Sequence, residues 1–398
     1  MKRLPLYSLL LVAIWATISC RPESSTTAKK SEEESPAFTP DPRYVPEQEV
    51  QTLSLGSTAP DFRLPGIDGA YHSLSDYDDA DILMIIFTCN HCPTAQAYEQ
   101  RMIDITADYA DRGVQTVAIS PNSPLGVMYE ELGYSDLNDD YEAMITRADD
   151  MKYNFPYLYD GDDHAASLLY GPAATPHVFI FDRERTLQYV GRLDSKEHPD
   201  EGARGEDVRN ALDALLAGEK PSLAETKTFG CSTKWAWKYK LKEKVDKEWT
   251  EKQVTLKDID EAGIVELLAN DSDKLRLINV WATWCGPCVQ EYEEFVHMHR
   301  MFGGRDFEFV SISSDKTKRR DKALEILEQK HSALDNYIFT NEDKYALIEA
   351  IDPDWNGALP YTMLIEPGGD IAWRYQGDVD FHQLRKTIVE HPMIGRYF

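Results

Sequence analysis

A short, almost wholly apolar run followed by a stretch of helical periodicity occurs twice along the chain. In the second half, Arg276-Leu277-Ile278-Asn279-Val280-Trp281-Ala282 reads as a strand, and residues from about Val289 to Phe302 read as a helix. A strand over 307–312, a helix over 318–330, a strand over 337–340 and a short helix over 344–350 follow. The tail predicts a hairpin, 361–365 and 371–375 about Pro367-Gly368-Gly369-Asp370, and a helix over 380–390. The first half repeats this plan: a strand over 82–87, a helix ending near Tyr109, and strands over 114–120 and 155–159. A short helix over 165–170, a hairpin of 177–181 and 187–190, and a helix over 208–217 complete it. Strands that alternate with helices and close in a hairpin imply an α/β fold with two tandem domains. Each has a mixed central sheet flanked by helices on both faces.

The 398 residues, 42% of them apolar, suffice for two cores. The domains are expected over 51–220 and 251–398, with a connector over 221–250. Trp235, Trp237 and Trp249 make that connector too aromatic for a free linker. Sixty-nine acidic residues against 42 basic ones give a net charge of −27, which repels nucleic acid.

The N-terminus changes the picture of where the chain works. Lys2 and Arg3 precede an apolar run from Leu4 to Ile18 that is short for a membrane span and suits a secretory signal over 1–20. Its end, Ile18-Ser19-Cys20, resembles a bacterial lipoprotein signal, which implies lipid on Cys20 and attachment to a membrane on the periplasmic side. Thr17 stands where Leu is usual, and ordinary cleavage would leave Cys20 as a thiol. Residues 21–50 are rich in Ser, Thr, Glu and Pro and read as a disordered tether, with a reach of about 30 Å.

Besides Cys20, the cysteines are Cys89, Cys92, Cys231, Cys285 and Cys288. Four of them form two Cys-x-x-Cys pairs, each placed between a strand and a helix. Exchange of disulfides needs a thiolate, and a helix N-terminus lowers a thiol's pKa through free N–H groups and the macrodipole. This placement makes Cys285 and Cys89 the expected nucleophiles, with Cys288 and Cys92 one turn on to release the product.

Trp284-Cys285-Gly286-Pro287-Cys288, the strand Asn279-Val280-Trp281-Ala282-Thr283 before it and Glu291 after it resemble thioredoxins, in particular the exported group of TlpA and ResA. Gly56-Ser57-Thr58-Ala59-Pro60-Asp61-Phe62 is similar to the opening of the redoxin branch that includes peroxiredoxins. The first resemblance covers about 252–398 and the second about 53–220. Together they imply two thioredoxin-like domains that exchange disulfides with protein substrates, with relay between the domains and recharging by a membrane or periplasmic redox partner. They also imply that Pro176 and Pro360, each just before a hairpin strand, are cis-prolines that hold the backbone open for a substrate strand. The alternative is that each merely begins an edge strand.

Two departures qualify the resemblance. Asn279 and Leu83 stand where thioredoxin keeps a buried acid, which leaves Glu291 as a proton carrier or a surface charge. With Cys92 as a peroxidatic cysteine, Cys89 and Ile85 would occupy the positions of the family's Thr and Pro. His91 matches the loop histidine of strongly oxidising dithiols such as DsbA, or is an exposed loop residue. Rival readings are a thiol peroxidase first domain reduced by the second, and a metal or copper module built on Cys89, His91 and Cys92 with His72 or His177 nearby. Cys231 is a resolving thiol, a partner of unlipidated Cys20, or a buried inert thiol. No glycine-rich phosphate loop follows a strand, so no organic cofactor is expected.

Overall fold

The computed structural model describes residues 38–196 and 203–396. The signal segment, Cys20 and most of the expected tether therefore lie outside the described residues. Residues 38–50 form neither helix nor strand, yet part of them is docked. Phe38 packs edge-on against Tyr141, ring centroids 4.8 Å apart, and the Arg43 N–H donates to the Asp162 carbonyl. Two aromatic rings among polar residues, Phe38 against Tyr141 and Tyr44 against Tyr239, give this short stretch apolar anchors that composition alone hides.

The first half comprises β1 (Arg63–Pro65), β2 (Tyr71–Ser73), β3 (Ile82–Phe87), α1 (Pro93–Ala110), β4 (Val114–Ser120), α2 (Tyr141–Met151) and β5 (Tyr157–Tyr159). It continues with α3 (Ser167–Tyr170), β6 (His177–Phe181), β7 (Leu187–Gly191) and α4 (Glu206–Leu216). Helix α5 (Tyr239–Thr250) leads to the second half. There the order is β8 (Lys257–Ile259), α6 (Glu261–Ala269), β9 (Leu275–Trp281), α7 (Gly286–Phe302), β10 (Phe307–Ser313), α8 (Arg320–Gln329) and β11 (Asp335–Phe339). It closes with α9 (Lys344–Ile351), β12 (Tyr361–Ile365), β13 (Ile371–Gln376) and α10 (Phe381–Glu390).

The two large sheets share one plan. Strand order β5-β4-β3-β6-β7 in the first matches β11-β10-β9-β12-β13 in the second, where β8 adds an edge. In each, the strand leading to the cysteines pairs parallel on one side and antiparallel on the other. All six residues of β3 are buried, as a strand covered on both faces requires. Ile82, Met84 and Ile86 enter one core cluster while Leu83, Ile85 and Phe87 enter another. In β9, Leu275, Leu277 and Trp281 face one cluster and Ile278 and Val280 the other.

Aspartates begin several helices by accepting from the first turn: Asp140 from the Ala143 N–H, Asp260 from Gly263 and Asp380 from Gln383. Contacts between the halves are both apolar and polar: Val127 and Leu132 join the core cluster of α7 and β9, and Tyr129 stacks on His297. Arg300 pairs with Glu130 and with Asp246 of α5, Arg305 donates to the Gly133 carbonyl, and Arg396 reaches Asp136 and Gln96. In the connector, Trp235 stacks on Trp237 and the Trp249 indole donates to the His331 carbonyl. Among the described residues no helix is long and apolar enough to cross a membrane.

Candidate active sites

In the second half, Thr283 is fixed to Asp315 by its N–H (2.7 Å) and its hydroxyl (2.8 Å), which sets the turn leaving β9. Cys285 is the N-cap of α7, accepting from the Cys288 N–H, and is disulfide-bonded to Cys288. Pro287 occupies the first turn, where its missing N–H costs nothing. Both sulfurs are nearly covered, whereas Trp284 beside them is 62% exposed. A groove of about 500 Å³ runs from Trp284 past Lys316, Lys318, Arg319 and Lys344. The Leu359–Pro360 bond is cis. Glu291 lies one helical turn after Cys288; burial pushes its carboxyl up to about 7, although the Val379 N–H donates to it. Asn279, at the position of the missing acid, donates to the Thr362 hydroxyl.

The first half is wired differently. Helix α1 begins at Pro93, and its N-cap is Cys92, not Cys89 as the shared motif suggested. Two causes combine. The proline follows the pair here instead of lying inside it, so the first helical position moves downstream. The N–H groups of Asn90 and His91 both donate to the Asp139 carboxylate, at 2.9 and 3.0 Å, and wrap this segment around an acid. Asn122 donates to the same carboxylate and His91 Nδ1 pairs with it.

These surroundings separate the two thiols. Burial raises the Cys92 pKa, but hydrogen bonds from Cys231 and Cys89, the His91 charge and the Ala95 N–H outweigh it and hold the thiol well below its ordinary range. Cys89 moves the other way, pushed up by burial, by its hydrogen bond with Cys92 and by the Asp139 charge. Burial disfavours the His91 cation, yet the Asp139 charge prevails and the imidazole pKa lies above normal. The side chain is fully enclosed and not an exposed loop residue. Asp139 is held below the carboxylate range despite its burial by the His91 charge and by its hydrogen bonds.

The Thr175–Pro176 bond is cis, and Thr175 touches both thiols: its hydroxyl is 3.1 Å from Cys89 Sγ and its carbonyl 3.1 Å from Cys92 Sγ. Cys231, far along the sequence, brings its backbone N–H to 3.2 Å from Cys92 Sγ. Cys89, His91 and Asp139 each offer a ligand atom within 4.8 Å of the others. Both Asp139 oxygens are already engaged, so a metal would have to displace existing hydrogen bonds. His72 pairs with Asp68 and His177 with the Ala173 N–H; neither joins this cluster. Among the described residues no ligand group draws on both cysteine pairs.

Asp139, Thr175 and Asn122 had not been singled out in the sequence. Only Thr175 carried a signal, as the residue before Pro176; Asp139 is one acid in an acidic stretch.

The AhpC/TSA family model matches residues 55–190 and again 246–390. The thiol-disulfide oxidoreductase ResA of Oceanobacillus iheyensis is 24% identical over 155 residues, covering 37% of this chain and 65% of that protein. The thiol:disulfide interchange protein DsbE of Allochromatium vinosum is 27% identical over 126 residues, 31% of this chain and 62% of that one. The matched stretch thus spans less than two thirds of either relative. A solved structure of an uncharacterised conserved protein from Geobacillus kaustophilus is 35% identical, with a TM-score of 0.41, over 48% of this chain and 97% of that one.

Proposed function

This chain belongs to the AhpC/TSA family through both of its halves, and on that premise we propose that it is an exported thiol–disulfide oxidoreductase whose second half exchanges disulfides with proteins. The observation that carries this reading is the disulfide between Cys285 and Cys288 at the start of α7, beside exposed Trp284 and cis-Pro360. In the reducing direction, the Cys285 thiolate attacks a substrate disulfide and expels one thiolate. Cys288 then attacks Cys285 Sγ, expels the second, and leaves the pair oxidised as in this structure. Glu291, half-charged near neutral pH, takes the Cys288 proton. Four cationic residues against Asp315 and Glu342 line the groove beside Trp284, a net positive charge that favours acidic substrate segments on a protein that is strongly negative as a whole.

Relay of electrons between the Cys89–Cys92 and Cys285–Cys288 pairs is part of this reading. A membrane or periplasmic redox partner recharges the second half. Export rests on the basic start and apolar run before Cys20, and lipid on Cys20 would hold the chain at a membrane.

The test is reduction of a protein disulfide, such as insulin's, with dithiothreitol as electron source. Turnover that disappears in Cys285→Ser and persists in Cys89→Ser supports the proposal. Turnover unaffected by Cys285→Ser refutes it.

A further inference from the structure

The two cis-prolines sit in matching places, but their edges are not alike. In the second half, no hydrogen bond among the described residues reaches the Leu359 backbone. That edge, packed against the cluster that holds Cys285 and Cys288, is open to an incoming strand. In the first half the corresponding residue is taken by the chain itself. The Thr175 N–H donates to the Cys231 carbonyl at 2.9 Å, and the two residues form an antiparallel bridge. Thr228 donates to the Pro176 carbonyl at 2.8 Å, so one segment runs along both sides of the cis bond. Gly230 permits the approach: it has φ +126°, and a Cβ there would stand 2.1 Å from the Thr175 carbonyl oxygen.

The segment delivers a thiol to the reactive sulfur. Cys92 Sγ accepts from the Cys231 N–H, packs with Cys89 and Cys231, and is itself 0% exposed, whereas Cys231 keeps partial exposure. A folded protein cannot bring a disulfide to a sulfur so enclosed while Phe229-Gly230-Cys231 occupies the edge. Partly exposed Cys231, packed against Cys92, marks the side from which a small molecule approaches.

We infer that Cys231 is the resolving thiol of Cys92 and that the first half reacts with small, low-molecular-weight disulfides. This rests on the reading of the first half as a dithiol site. The Cys92 thiolate attacks a disulfide R–S–S–R, forming Cys92–S–S–R and releasing RS⁻. The Cys231 sulfur then attacks Cys92 Sγ, forming the Cys92–Cys231 disulfide and expelling the second RS⁻, which takes the Cys231 proton. Two protein thiols are oxidised and one external disulfide is reduced. The hydrogen bond with Cys92, burial and the Cys92 charge push the Cys231 thiol upward, so it holds its proton until the mixed disulfide has formed.

The experiment uses the full chain with Cys20→Ser, Cys285→Ser and Cys288→Ser, leaving Cys89, Cys92 and Cys231. One equivalent of bis(2-hydroxyethyl) disulfide is added, free mercaptoethanol is counted, and linkages are mapped by mass spectrometry without reduction. Two thiols released with Cys92–Cys231 as the principal linkage is the expected result. Adding Cys89→Ser should leave two thiols released, and Cys231→Ser on top of that should reduce the yield to one, with the mixed disulfide on Cys92. A principal Cys89–Cys92 linkage, unchanged by Cys231→Ser, would overturn the inference and leave the dithiol reading standing. Release of no thiol would overturn both.

Discussion

Replacing Asp139 with Asn tests whether the charge state of the first site is set as the geometry implies. The carboxylate is fully buried, pairs with His91 and accepts from two backbone N–H groups and Asn122. Asparagine keeps the shape and one acceptor oxygen but removes the charge that holds His91 protonated. Burial and the Lys234 charge then act on His91 against the Cys92 charge alone, and the imidazole pKa falls. The Cys92 thiolate loses a nearby positive charge, worth about 1–3 pKa units, or roughly 1.4–4 kcal/mol at 1.36 kcal/mol per unit. The assay is thiolate absorbance at 240 nm against pH in a Cys285→Ser, Cys288→Ser background, which needs no reagent to reach the buried sulfur.

The Cys92 titration should move to higher pH by that amount. Removing one member of the pair should also destabilise the first half by about 3 kcal/mol, the lower end for a broken buried ion pair because Asn still accepts. Both signs are fixed. Asp139 is depressed below its ordinary 3.8, so its contribution is present above that pH and is lost as pH falls through the folded value. His91 is raised above 6.5, so its contribution is complete below 6.5 and fades as pH rises through the folded value. The destabilisation should therefore be largest between these two limits. An unchanged Cys92 titration with a stability loss below about 1 kcal/mol would refute the assigned ion pair.

Other expectations follow from the same contacts. Glu291→Gln should remove a pH inflection near 7 from the oxidation of the reduced Cys285–Cys288 pair, with a rate loss on the order of 10²-fold, read by stopped-flow tryptophan fluorescence. Trp284→Ala should leave urea stability within about 0.5 kcal/mol, because the ring is exposed, yet lower kcat/KM for protein disulfides. Lys318→Glu with Arg319→Glu should lower kcat/KM for an acidic disulfide peptide more than for a basic one, and the difference should shrink in high salt. Gly230→Ala should cost more than about 1 kcal/mol in unfolding titrations, through strain at positive φ.

The second site was largely legible because its chemistry is local in sequence. Trp-Cys-Gly-Pro-Cys states the turn, the helix start and the thiol spacing within five residues. The doubled sheet plan was equally visible, since β3 and β9 are apolar runs and the closing hairpins carry turn residues. The first site was not, because its decisive contacts span large separations: Asp139 to His91 and Cys231 to Cys92. Treating the two motifs as equivalent placed Cys89 at the helix start, whereas the position of Pro93 and the pull of Asp139 move that role to Cys92. Helix α2 went unseen because its stripe of Tyr141, Met144 and Ala148 is short and set in an acidic stretch. Strand β8 escaped because three residues carry little periodicity.

The most direct test of the central claim is a redox titration of Cys285 and Cys288 in full-length protein carrying Cys20→Ser, Cys89→Ser, Cys92→Ser and Cys231→Ser. Thiols are trapped at defined dithiothreitol poise and counted by mass. A single two-electron transition is expected, tenfold in ratio per about 30 mV and centred near thioredoxin's ~−270 mV. A disulfide that stays closed at every poise, or thiols that never close, would contradict it.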